Sequence, residues 1–496
     1  MKKLLDHYKI TELCYDSRLV KSEGSAFFAI KGTQSDGNQY IPEVIKKGVR
    51  LIFTDDPASA PYSTSNAEVI LVDNARTSLA TAAGILYPLL PKHMIAATGT
   101  NGKTSVVSYC EQLYSLLGVS SGAIGTVGVK YPKNIKIPII QDILAQTPSL
   151  TTADPISLRQ ILHHLAKNNV NHVAFEASSH GLDQERMHGI KVQAACFTSF
   201  SQDHLDYHKN MEDYLLAKLK LFSENLTKDG IAVLNSGIPQ LDYIKNYLQH
   251  RKIKFITVGV DGDLNIISNQ PSVDSGYKQN ITFTYKQREY NFDTEITGSF
   301  QGYNLLIAAL LVHITGFPFD EVISKLPEVQ AVKGRLERIT DLNHPFHVFV
   351  DYAHTPDALE KALLELRKIK SENGSLKVIF GCGGDRDTSK RPLMGLVAGQ
   401  IADVVIVTDD NPRTEKPQLI RHQIIQGISA TTNSYIEIPD RRIAISETIN
   451  TLQPGDILLI AGKGHEEYQI IGNTKLPFSD SAVVKEVVRN VSTLQA

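Results

Sequence analysis

The 496-residue chain has few cysteines, no dominant charge and no long apolar run. Its four scattered cysteines exclude a CxxC zinc site and argue against a disulfide framework. The 51 basic and 53 acidic residues give a net charge of −2, which argues against a protein that wraps nucleic acid or lies on an anionic membrane. No apolar run approaches the roughly 18 residues that span a bilayer, and the start MKKLLDHYKI does not resemble a signal peptide. We therefore expect a cytoplasmic enzyme with neither nucleic acid nor membrane as a partner.

Short apolar segments alternate with stretches of helical spacing, and no fixed repeat is visible. Examples of such segments are Met94–Ala97, His172–Phe175 and Leu376–Phe380. Runs of this kind between Gly, Asp or Asn residues predict strands that are buried on both faces of a parallel sheet. Between 158 and 166, apolar residues recur at i, i+3, i+4 and i+7, which predicts a helix. The alternation predicts the α/β class.

The length predicts about three domains. Pro88 and Pro91 end a predicted helix before a strong strand, which puts one boundary near residue 92. A new strand-and-helix series begins after 330–334. We therefore expect domains at 1–92, 93–332 and 333–496. The polar segment 261–295 predicts antiparallel strands within the middle domain.

The most informative motif is GTNGKTS, which lies between a predicted strand and a predicted helix. Glycines at such a junction let backbone N–H groups converge on phosphate oxygens, and the helix N-terminus adds its positive dipole end. Lys103 would reach the outer phosphates and the Thr104 hydroxyl would face Mg²⁺. Ala97 stands where the general pattern has Gly, so this is a variant loop, and it predicts a purine nucleoside triphosphate as ligand. The predicted loop residues are Gly99, Thr100, Asn101, Gly102, Lys103, Thr104 and Ser105.

Two further segments carry groups that can bind metal or phosphate. Glu176 follows a buried strand, where its carboxylate could hold a metal on the phosphates or could simply cap a helix or face solvent. The loop 203–208 places two acids and two histidines within six residues. Such clustering favours metal or phosphate chemistry with His204 as the preferred ligand, against the alternative of a solvated polar loop. Lys218 and Lys220 follow on a predicted helix over 214–225, where an exposed face is the simplest interpretation.

Together these motifs resemble the bacterial Mur ligases, and within them the members that form a tripeptide. The resemblance is carried by GTNGKTS at 99–105, EASSHGL at 176–182, DHLDYH at 203–208 with Lys218 ten residues later, and DYAHTP at 351–356. DSR at 16–18 and GKGHE at 462–466 extend it over the whole chain. It implies a small N-terminal α/β UDP-binding domain, a central P-loop ATPase with a mostly parallel sheet, and a C-terminal Rossmann-like domain for the amino acid.

The resemblance also implies a reaction. ATP would phosphorylate the γ-carboxylate of D-Glu in UDP-MurNAc-L-Ala-D-Glu, and the amine of meso-diaminopimelate would attack the acyl phosphate to form an amide. Mg²⁺ would be the cofactor, held by Thr104, Glu176, His204 and a carbamylated Lys218. Lys103, Glu176, His204 and Lys218 would act in catalysis, in a protein we expect to be a monomer. Asn304, Arg335, Asp351 and His354 match further ATP contacts, whereas Gln301 stands where the family has Asn.

Two more substrate sites follow from the resemblance. Leu150 replaces an Asn that the family commonly has before its Thr pair at 151–152, so the hydrogen bond of that Asn to the UDP substrate would be missing or supplied by another residue. The DNPR loop at 410–413 goes with meso-diaminopimelate, whose extra carboxylate an Arg fork would attract while repelling the ammonium of lysine. The residues implied for the UDP substrate are Tyr15, Ser17, Thr33, Gln34, Ser35, Thr151, Thr152, Ser178, Gln184 and Arg186. Those implied for diaminopimelate are Arg386, Asp410, Asn411, Pro412, Arg413, Gly462 and Glu466.

Three alternatives stay open on the sequence. A lysine-adding homologue is disfavoured mainly by Arg413. A folylpolyglutamate-synthetase-like ligase would share the acyl-phosphate chemistry but would lack the N-terminal domain and the DNPR loop. A nucleotide-binding protein without ligase activity would explain the GKT motif but not His204, Lys218 and DNPR together.

Overall fold

The computed structural model describes residues 1–21, 23–32, 35–146, 150–271, 278–339, 345–431 and 434–494. Within these ranges, sheets of four, ten and six strands follow one another along the chain, and a two-stranded hairpin lies near the end. The α/β class is therefore confirmed. The predicted domain limits at 92 and 332 stay predictions, although each predicted domain contains one of these sheets.

The first sheet is parallel throughout, in the order β1-β2-β3-β4. Every residue of β2 and β3 is buried, which is the pattern of parallel strands covered on both faces. The elements are α1 (Lys2–His7), β1 (Glu12–Cys14), β2 (Ser25–Ala29), α2 (Ile41–Lys46), β3 (Leu51–Thr54), β4 (Glu68–Leu71) and α3 (Ala75–Leu86).

The second sheet has the order β14-β13-β12-β11-β10-β9-β5-β8-β6-β7, with β5 between β8 and β9. Its strands are β5 (His93–Thr98), β6 (Ser121–Gly125), β7 (Gly128–Lys130), β8 (His172–Glu176), β9 (Val192–Phe197), β10 (Leu226–Asn235), β11 (Lys254–Gly259), β12 (Leu264–Pro271), β13 (Gln279–Tyr285) and β14 (Arg288–Thr294). Its helices are α4 (Lys103–Leu116), α5 (Pro138–Gln146), α6 (Pro155–Lys167), α7 (Ser179–Asp183), α8 (Met211–Lys220), α9 (Leu241–His250), α10 (Ser299–Ile314) and α11 (Phe319–Ser324).

Helices cover both faces of this sheet. α4 and α10 pack in one core, and the apolar residues of α6 that were predicted from their spacing pack in the other. The antiparallel pairing predicted for 261–295 is confirmed for β12, β13 and β14, with 272–277 outside the described residues. One prediction was slightly wrong, because the helix predicted over 214–225 is α8 followed by a wider helical turn over Leu221–Asn225.

The third sheet has the order β15-β16-β20-β17-β18-β19, and only β15 is antiparallel to its neighbour among these pairs. Two cores of its own lie on its faces. Its strands are β15 (Glu337–Arg338), β16 (His347–Asp351), β17 (Leu376–Phe380), β18 (Val404–Val407), β19 (Tyr435–Glu437) and β20 (Ile457–Ala461), and β21 (Tyr468–Ile471) with β22 (Thr474–Pro477) forms the hairpin. The helices are α12 (Pro356–Ile369), α13 (Lys390–Ile401), α14 (Pro417–Ile428), α15 (Arg441–Asn450) and α16 (Asp480–Leu494).

Over the described ranges, no helix combines the length and apolarity that a membrane crossing requires.

Candidate active site

The loop between β5 and α4 is held in a conformation that requires glycine at two positions. Gly99 has φ +146° and Gly102 has φ +90°. A Cβ on Gly99 would lie 2.0 Å from the Thr198 hydroxyl oxygen, and one on Gly102 would lie 2.7 Å from the Asn304 amide oxygen. The backbone of the loop therefore lies directly against the end of β9 and the first turns of α10, as a phosphate-binding loop must.

Two lysines converge on this loop. Lys103 donates to the carbonyl oxygens of Gly99 and Thr100 at 2.7 and 2.8 Å. Lys218, which is 1% exposed, donates to the Gly99 carbonyl at 2.8 Å. Burial lowers the pKa of both side chains, that of Lys218 well below its usual value with Lys103 as a further cause. The simplest interpretation of Lys218, an exposed helix face, is therefore wrong, and two buried amines face one anion-binding loop.

Glu176 is the last residue of β8 and is 2% exposed. Its Oε1 accepts hydrogen bonds from the Thr104 hydroxyl at 3.0 Å and from the Thr126 N–H at 2.8 Å, and its Oε2 accepts from the Thr126 hydroxyl at 3.1 Å. Arg335 donates to the Thr104 hydroxyl oxygen at 2.8 Å. Of the interpretations left open for Glu176, helix cap and surface residue are excluded. The acid lies beside the phosphate loop.

His204 lies in the polar loop between β9 and α8 with φ +56°. Its Nε2 is 3.5 Å from the Asp203 carboxylate, and its ring meets that of His180 edge-on at 4.7 Å. Burial lowers the pKa of His204 to about 3 and that of His180 to about 4. Both imidazoles are therefore neutral near pH 7, with ring nitrogens that can accept hydrogen bonds or bind a cation.

A cavity of about 710 Å³ opens from the phosphate loop toward the third sheet. Gln301, the residue that departs from the family pattern, accepts from the Asn304 amide at 3.1 Å and so orients it. Burial raises the pKa of Asp351 to about 6, although this carboxylate accepts hydrogen bonds from the N–H groups of Leu336 and Ala353. Six predicted nucleotide residues line the cavity, namely Asn101, Gly102, Ser105, Asn304, Arg335 and Asp351.

His354 is not among the residues that line this cavity. Its Nδ1 lies 2.7 Å from the Tyr352 carbonyl oxygen. Burial, with Lys390 as a second cause, lowers the pKa of His354 to about 4. Its place beside the nucleotide stays a prediction.

A second cavity, of about 640 Å³, lies between the first sheet and the second. Five of the residues predicted for the UDP substrate line it, namely Tyr15, Ser17, Ser35, Gln184 and Arg186. Leu150 also lines it, at the position where the family commonly has Asn. Thr33 and Gln34 lie outside the described residues.

Thr151 and Thr152 link this second cavity to Glu176. Arg186 donates to the Thr152 carbonyl at 2.6 Å, and the Thr152 hydroxyl donates to the Glu176 carbonyl at 2.9 Å. Ser178 lies 3.1 Å from the same hydroxyl. The Thr151 hydroxyl accepts from that of Thr126 at 3.2 Å. A substrate that extends from the second cavity along this pair reaches the acid.

A third cavity, of about 760 Å³, lies between Thr126 and Thr151 on one side and the third sheet with its hairpin on the other. Glu466 lines it. The Asn411 amide donates to Glu466 at 3.0 Å, and the fully buried Lys463 donates to both side chains. A Cβ on Gly462 would lie 2.8 Å from Asp410 Oδ2.

The two predicted arginines lie near each other at the edge of this region. Arg413 has φ +51° and donates to the Gly384 carbonyl at 2.7 Å. A Cβ on Gly383 would lie 2.8 Å from Arg413 Nη1 and 3.9 Å from Arg386 Cγ. Pro412 packs its carbonyl against Gly384. The structure thus brings the predicted amino-acid residues together on three loops, which follow the neighbouring strands β17, β18 and β20.

Sequence reasoning missed several residues of these cavities. Thr126 follows a short strand and belongs to no phosphate or metal motif. Tyr352 and Phe300 lie beside motif residues and could have been read as base-stacking aromatics. Arg76 of the second cavity and Lys475 of the third have no sequence signal, because only the packing of separate domains brings them to a site.

The loop, the acid and the cavities between sheets define a P-loop nucleotide-binding protein of the α/β class. Three family models match this chain: the Mur ligase family catalytic domain at residues 9–88, the Mur ligase middle domain at 97–312, and the Mur ligase glutamate ligase domain at 334–464. Two similar proteins, from Rickettsia montanensis and Rickettsia conorii, are each 52% identical over 489 residues, which cover 99% of this chain and 98% of each relative. Both are named UDP-N-acetylmuramoyl-L-alanyl-D-glutamate--2,6-diaminopimelate ligase.

A solved structure of a ligase with that name has a TM-score of 0.66 and 31% identity, and it covers 97% of this chain and 95% of its own. The chain belongs to the Mur ligase family. It is an ATP-dependent amide ligase of peptidoglycan precursor synthesis.

Proposed function

We propose that this ligase joins meso-diaminopimelate to the D-Glu γ-carboxylate of UDP-MurNAc-L-Ala-D-Glu. The observation that carries the proposal is that hydrogen bonds connect the lining of each of the three cavities to Glu176. The nucleotide cavity reaches it through Arg335 and Thr104, the second cavity through Thr152, and the third through Thr126. A reaction that consumes a nucleotide, an acid and an amine needs such a meeting point, because most of its acceleration comes from positioning the reactants.

In the first step, an oxygen of the γ-carboxylate attacks the γ-phosphorus of ATP, and ADP leaves. The carboxylate needs this activation because its own negative charge makes its carbon a poor electrophile. Lys103 and the N–H groups of the loop would neutralise the transferring phosphoryl group, once Lys103 exchanges its carbonyl partners for phosphate oxygens. Asn304, held by Gln301, would contact the base.

The residues beside the loop fit Mg²⁺. This ion commonly takes one or two carboxylates, with the remaining positions filled by phosphates and water. Thr104 and Glu176 form such a donor set, since both are buried and their oxygens are 3.0 Å apart. No group of three or more His, Cys, Asp or Glu side chains suited to a metal occurs in the described parts of the chain. When bound, Mg²⁺ would neutralise charge on the phosphates.

Lys218 cannot bind a cation as an ammonium group. We include in the proposal that its amine reacts with CO₂ to form a carbamate, with loss of a proton. The amine is buried against the loop, and the neutral His204 completes the same side of the site. A carbamate would turn one of two neighbouring cations into an anion that can bind a second Mg²⁺.

In the second step, the amine of the diamino acid attacks the acyl carbon, phosphate leaves with the bonding pair, and the nitrogen loses a proton. Arg413 and Arg386 would bind the carboxylate at the far end of the amino acid, because a guanidinium pairs with a carboxylate through two hydrogen bonds. Glu466 would bind an ammonium group. Lysine lacks the distal carboxylate, so it would leave these arginines unpaired.

Phosphate release with UDP-MurNAc-L-Ala-D-Glu tests the proposal, with meso-diaminopimelate compared against L-lysine. We expect turnover to depend on both ATP and Mg²⁺ and to prefer meso-diaminopimelate strongly. A preference for lysine would overturn the role given to Arg413 and Arg386. Binding of ATP without turnover on either amino acid would overturn the proposed reaction.

The enzyme would act in the cytoplasm as a monomer on three small molecules, with domains at 1–92, 93–332 and 333–496. Analytical ultracentrifugation tests the monomer. A folylpolyglutamate-synthetase-like activity is not favoured, because the part of the chain around the first sheet supplies most of the residues that line the second cavity.

A further inference from the structure

Arg391, the second residue of α13, is 1% exposed although it carries a full positive charge. Its guanidinium binds both oxygens of Glu415, with Nη1 donating to Oε2 at 2.9 Å and Nη2 to Oε1 at 2.8 Å. The same group donates to the Gly383 carbonyl at 3.0 Å and to the Gln423 side chain at 2.7 Å. A buried cation of this kind persists only where its partners compensate for lost hydration, so its partners must stay in place.

Those partners lie on two loops. The loop 383–387 follows β17 and carries Arg386, whereas the loop 410–415 follows β18 and carries Arg413. Arg391 contacts the first through the Gly383 carbonyl and the second through Glu415. Glu415 in turn accepts a hydrogen bond from the Asp385 N–H at 2.5 Å. One buried guanidinium therefore fastens both arginine-bearing loops to α13.

Hydrogen bonds between the two loops restrict their movement relative to each other. Gly384 donates its N–H to the Asn411 carbonyl at 2.9 Å, and its carbonyl accepts from Arg413. Arg413 and Asp385 both have φ near +50°, a conformation that costs free energy for residues with side chains. Such a backbone persists only if its surroundings hold it, and the pair of the buried Arg391 with the half-buried Glu415 is a charged part of those surroundings.

We propose that Arg391 is a positioning residue for selection of the amino-acid substrate. It holds Glu415 in place, and through Glu415 it positions Arg413 and Arg386. This rests on the proposed function. Without Arg391, Glu415 would remain in a partly buried place without its cation, and both loops would lose this attachment to α13 and shift relative to it. The guanidinium groups of Arg413 and Arg386 would then no longer fit one carboxylate. Discrimination between meso-diaminopimelate and lysine should suffer more than ATP use.

The test compares Arg391→Lys, Arg391→Met and Glu415→Gln with the wild type. Glu415→Gln keeps the side-chain shape and is the variant that stays informative if the Arg391 variants do not fold. We expect KM for meso-diaminopimelate to rise roughly 10- to 100-fold in the Arg391 variants, because small misplacements of binding groups have effects of that order. KM for ATP should stay within about twofold, and the preference over lysine should fall in parallel.

Lys377→Met is the matched control. Lys377 pairs with the buried Asp456 at 3.1 Å, near the start of β17 and so at the end of that strand away from the loop 383–387. The Lys377→Met variant should have a lowered Tm, as the Arg391 variants do, but an unchanged KM for the amino acid. In an Arg413→Ala background, Arg391→Met should raise the KM for the amino acid little further, since the effects of residues that act through one another are not additive.

Two outcomes would overturn the inference. One is a lowered Tm with an unchanged KM for the amino acid in the Arg391 and Glu415 variants, as expected for the Lys377→Met control. The other is an equal rise in KM for ATP and for the amino acid. The amino-acid preference of the wild type reports separately on the proposed function, since the variants are assayed with whichever amino acid the wild type uses.

Discussion

At the scale of single residues, the buried amine of Lys218 is the feature that most constrains the chemistry. It shares the Gly99 carbonyl with Lys103 and lies 4.3 Å from the centre of the Tyr214 ring. Two amines on one carbonyl repel each other when both are charged. A carbamate on Lys218 would replace this repulsion with attraction.

For Lys218→Ala we expect a loss of activity of at least about 100-fold, because a charge that organises the phosphoryl site is removed. Short carboxylates such as acetate or propionate should restore part of the activity, whereas methylamine should not, and the assay is ADP formation. Lys220→Ala, on the same helix but paired with Glu185, should behave like the wild type. Rescue by methylamine instead would show that Lys218 acts as an amine.

A histidine far from the loop should govern part of the pH dependence of stability. The His172 ring stacks on that of His93 at 4.5 Å beside Tyr114 and Phe317. Burial, with His93 as a second cause, lowers the pKa of His172 from 6.5 to about 4. Between these values the unfolded chain holds a proton that the native state lacks, so stability rises with pH through this window and is flat above it.

The protonation of His172 alone changes the free energy of unfolding by at most about 1.4 kcal/mol per pH unit. His172→Phe keeps a ring in the stack but cannot take up the proton. We expect the Tm of the variant, relative to the wild type, to increase as pH falls from 7 to 4.5, measured by calorimetry. A difference in Tm that is constant over this range would contradict the assignment.

Residue roles were predictable where the motif itself carries the chemistry. Lys103, Thr104 and Glu176 are each marked by a strand, a glycine or a helix next to them. Thr126 and Arg391 carry no such mark, because their roles arise from hydrogen bonds to groups 50 and 24 residues away. Lys218 was marked only by the resemblance, since spacing alone suggested a solvated face.

At the scale of elements, the ends of neighbouring parallel strands build the acid site. β6 and β8 pair in register, and the residue that ends β6, Gly125, lies against the side chain that ends β8. A Cβ on Gly125 would lie 2.2 Å from Glu176 Oε1. The strand ends are thus fitted to each other with no room for a methyl group.

Gly125→Ala should displace the Glu176 carboxylate from Thr104, and we expect kcat to fall by roughly 10- to 100-fold. Gly122→Ala in the same strand is the control, because its Cβ would meet its nearest atom at 3.1 Å and would touch no site residue. Steady-state kinetics separates the two. Equal effects on kcat and Tm in both variants would mean that only the strand is perturbed.

Most elements were predictable because both-face burial makes parallel strands continuous apolar runs, as in β5, β8 and β20. Short or exposed elements were not. β19 has only exposed residues, and β21 and β22 carry polar and charged side chains. β19 pairs with β18, which lies more than 25 residues earlier, whereas β21 and β22 pair with each other across a short turn; in both cases the strands lack the apolar pattern from which a strand is predicted.

At the scale of the whole molecule, the phosphate loop is in direct contact with the third sheet's domain. Asp357, at the start of α12, accepts hydrogen bonds from the Asn101 amide at 3.1 Å and from the Ser201 hydroxyl at 3.2 Å. One carboxylate thus joins the loop before α4, the loop after β9, and a helix more than 150 residues away. The sequence predicted the three parts but not this contact.

Asp357→Ala should weaken the closed arrangement around ATP. Hydrogen bonds to a charged group contribute about 1.5–3 kcal/mol, so we expect kcat/KM for ATP to fall roughly tenfold or more. Glu486→Ala, which breaks an exposed pair with Arg442 in the same domain, should have no effect. An unchanged kcat/KM for ATP in Asp357→Ala would show that the contact does not matter for nucleotide use.

The nucleotide cavity is lined by residues from the part of the chain around the second sheet and from the part around the third sheet, and each part has cores of its own. Without ligand, we expect the part around the third sheet to melt on its own, since none of its buried core residues belongs to the cores of the second sheet, although Phe300 of α10 packs against one of its cores. A nucleotide bound between them adds about 2.7 kcal/mol at 100 times its Kd, and neither part can unfold without losing it. Saturating ATP analogue should therefore merge separate heat-absorption peaks into one, so that a small molecule sets the size of the cooperative unit.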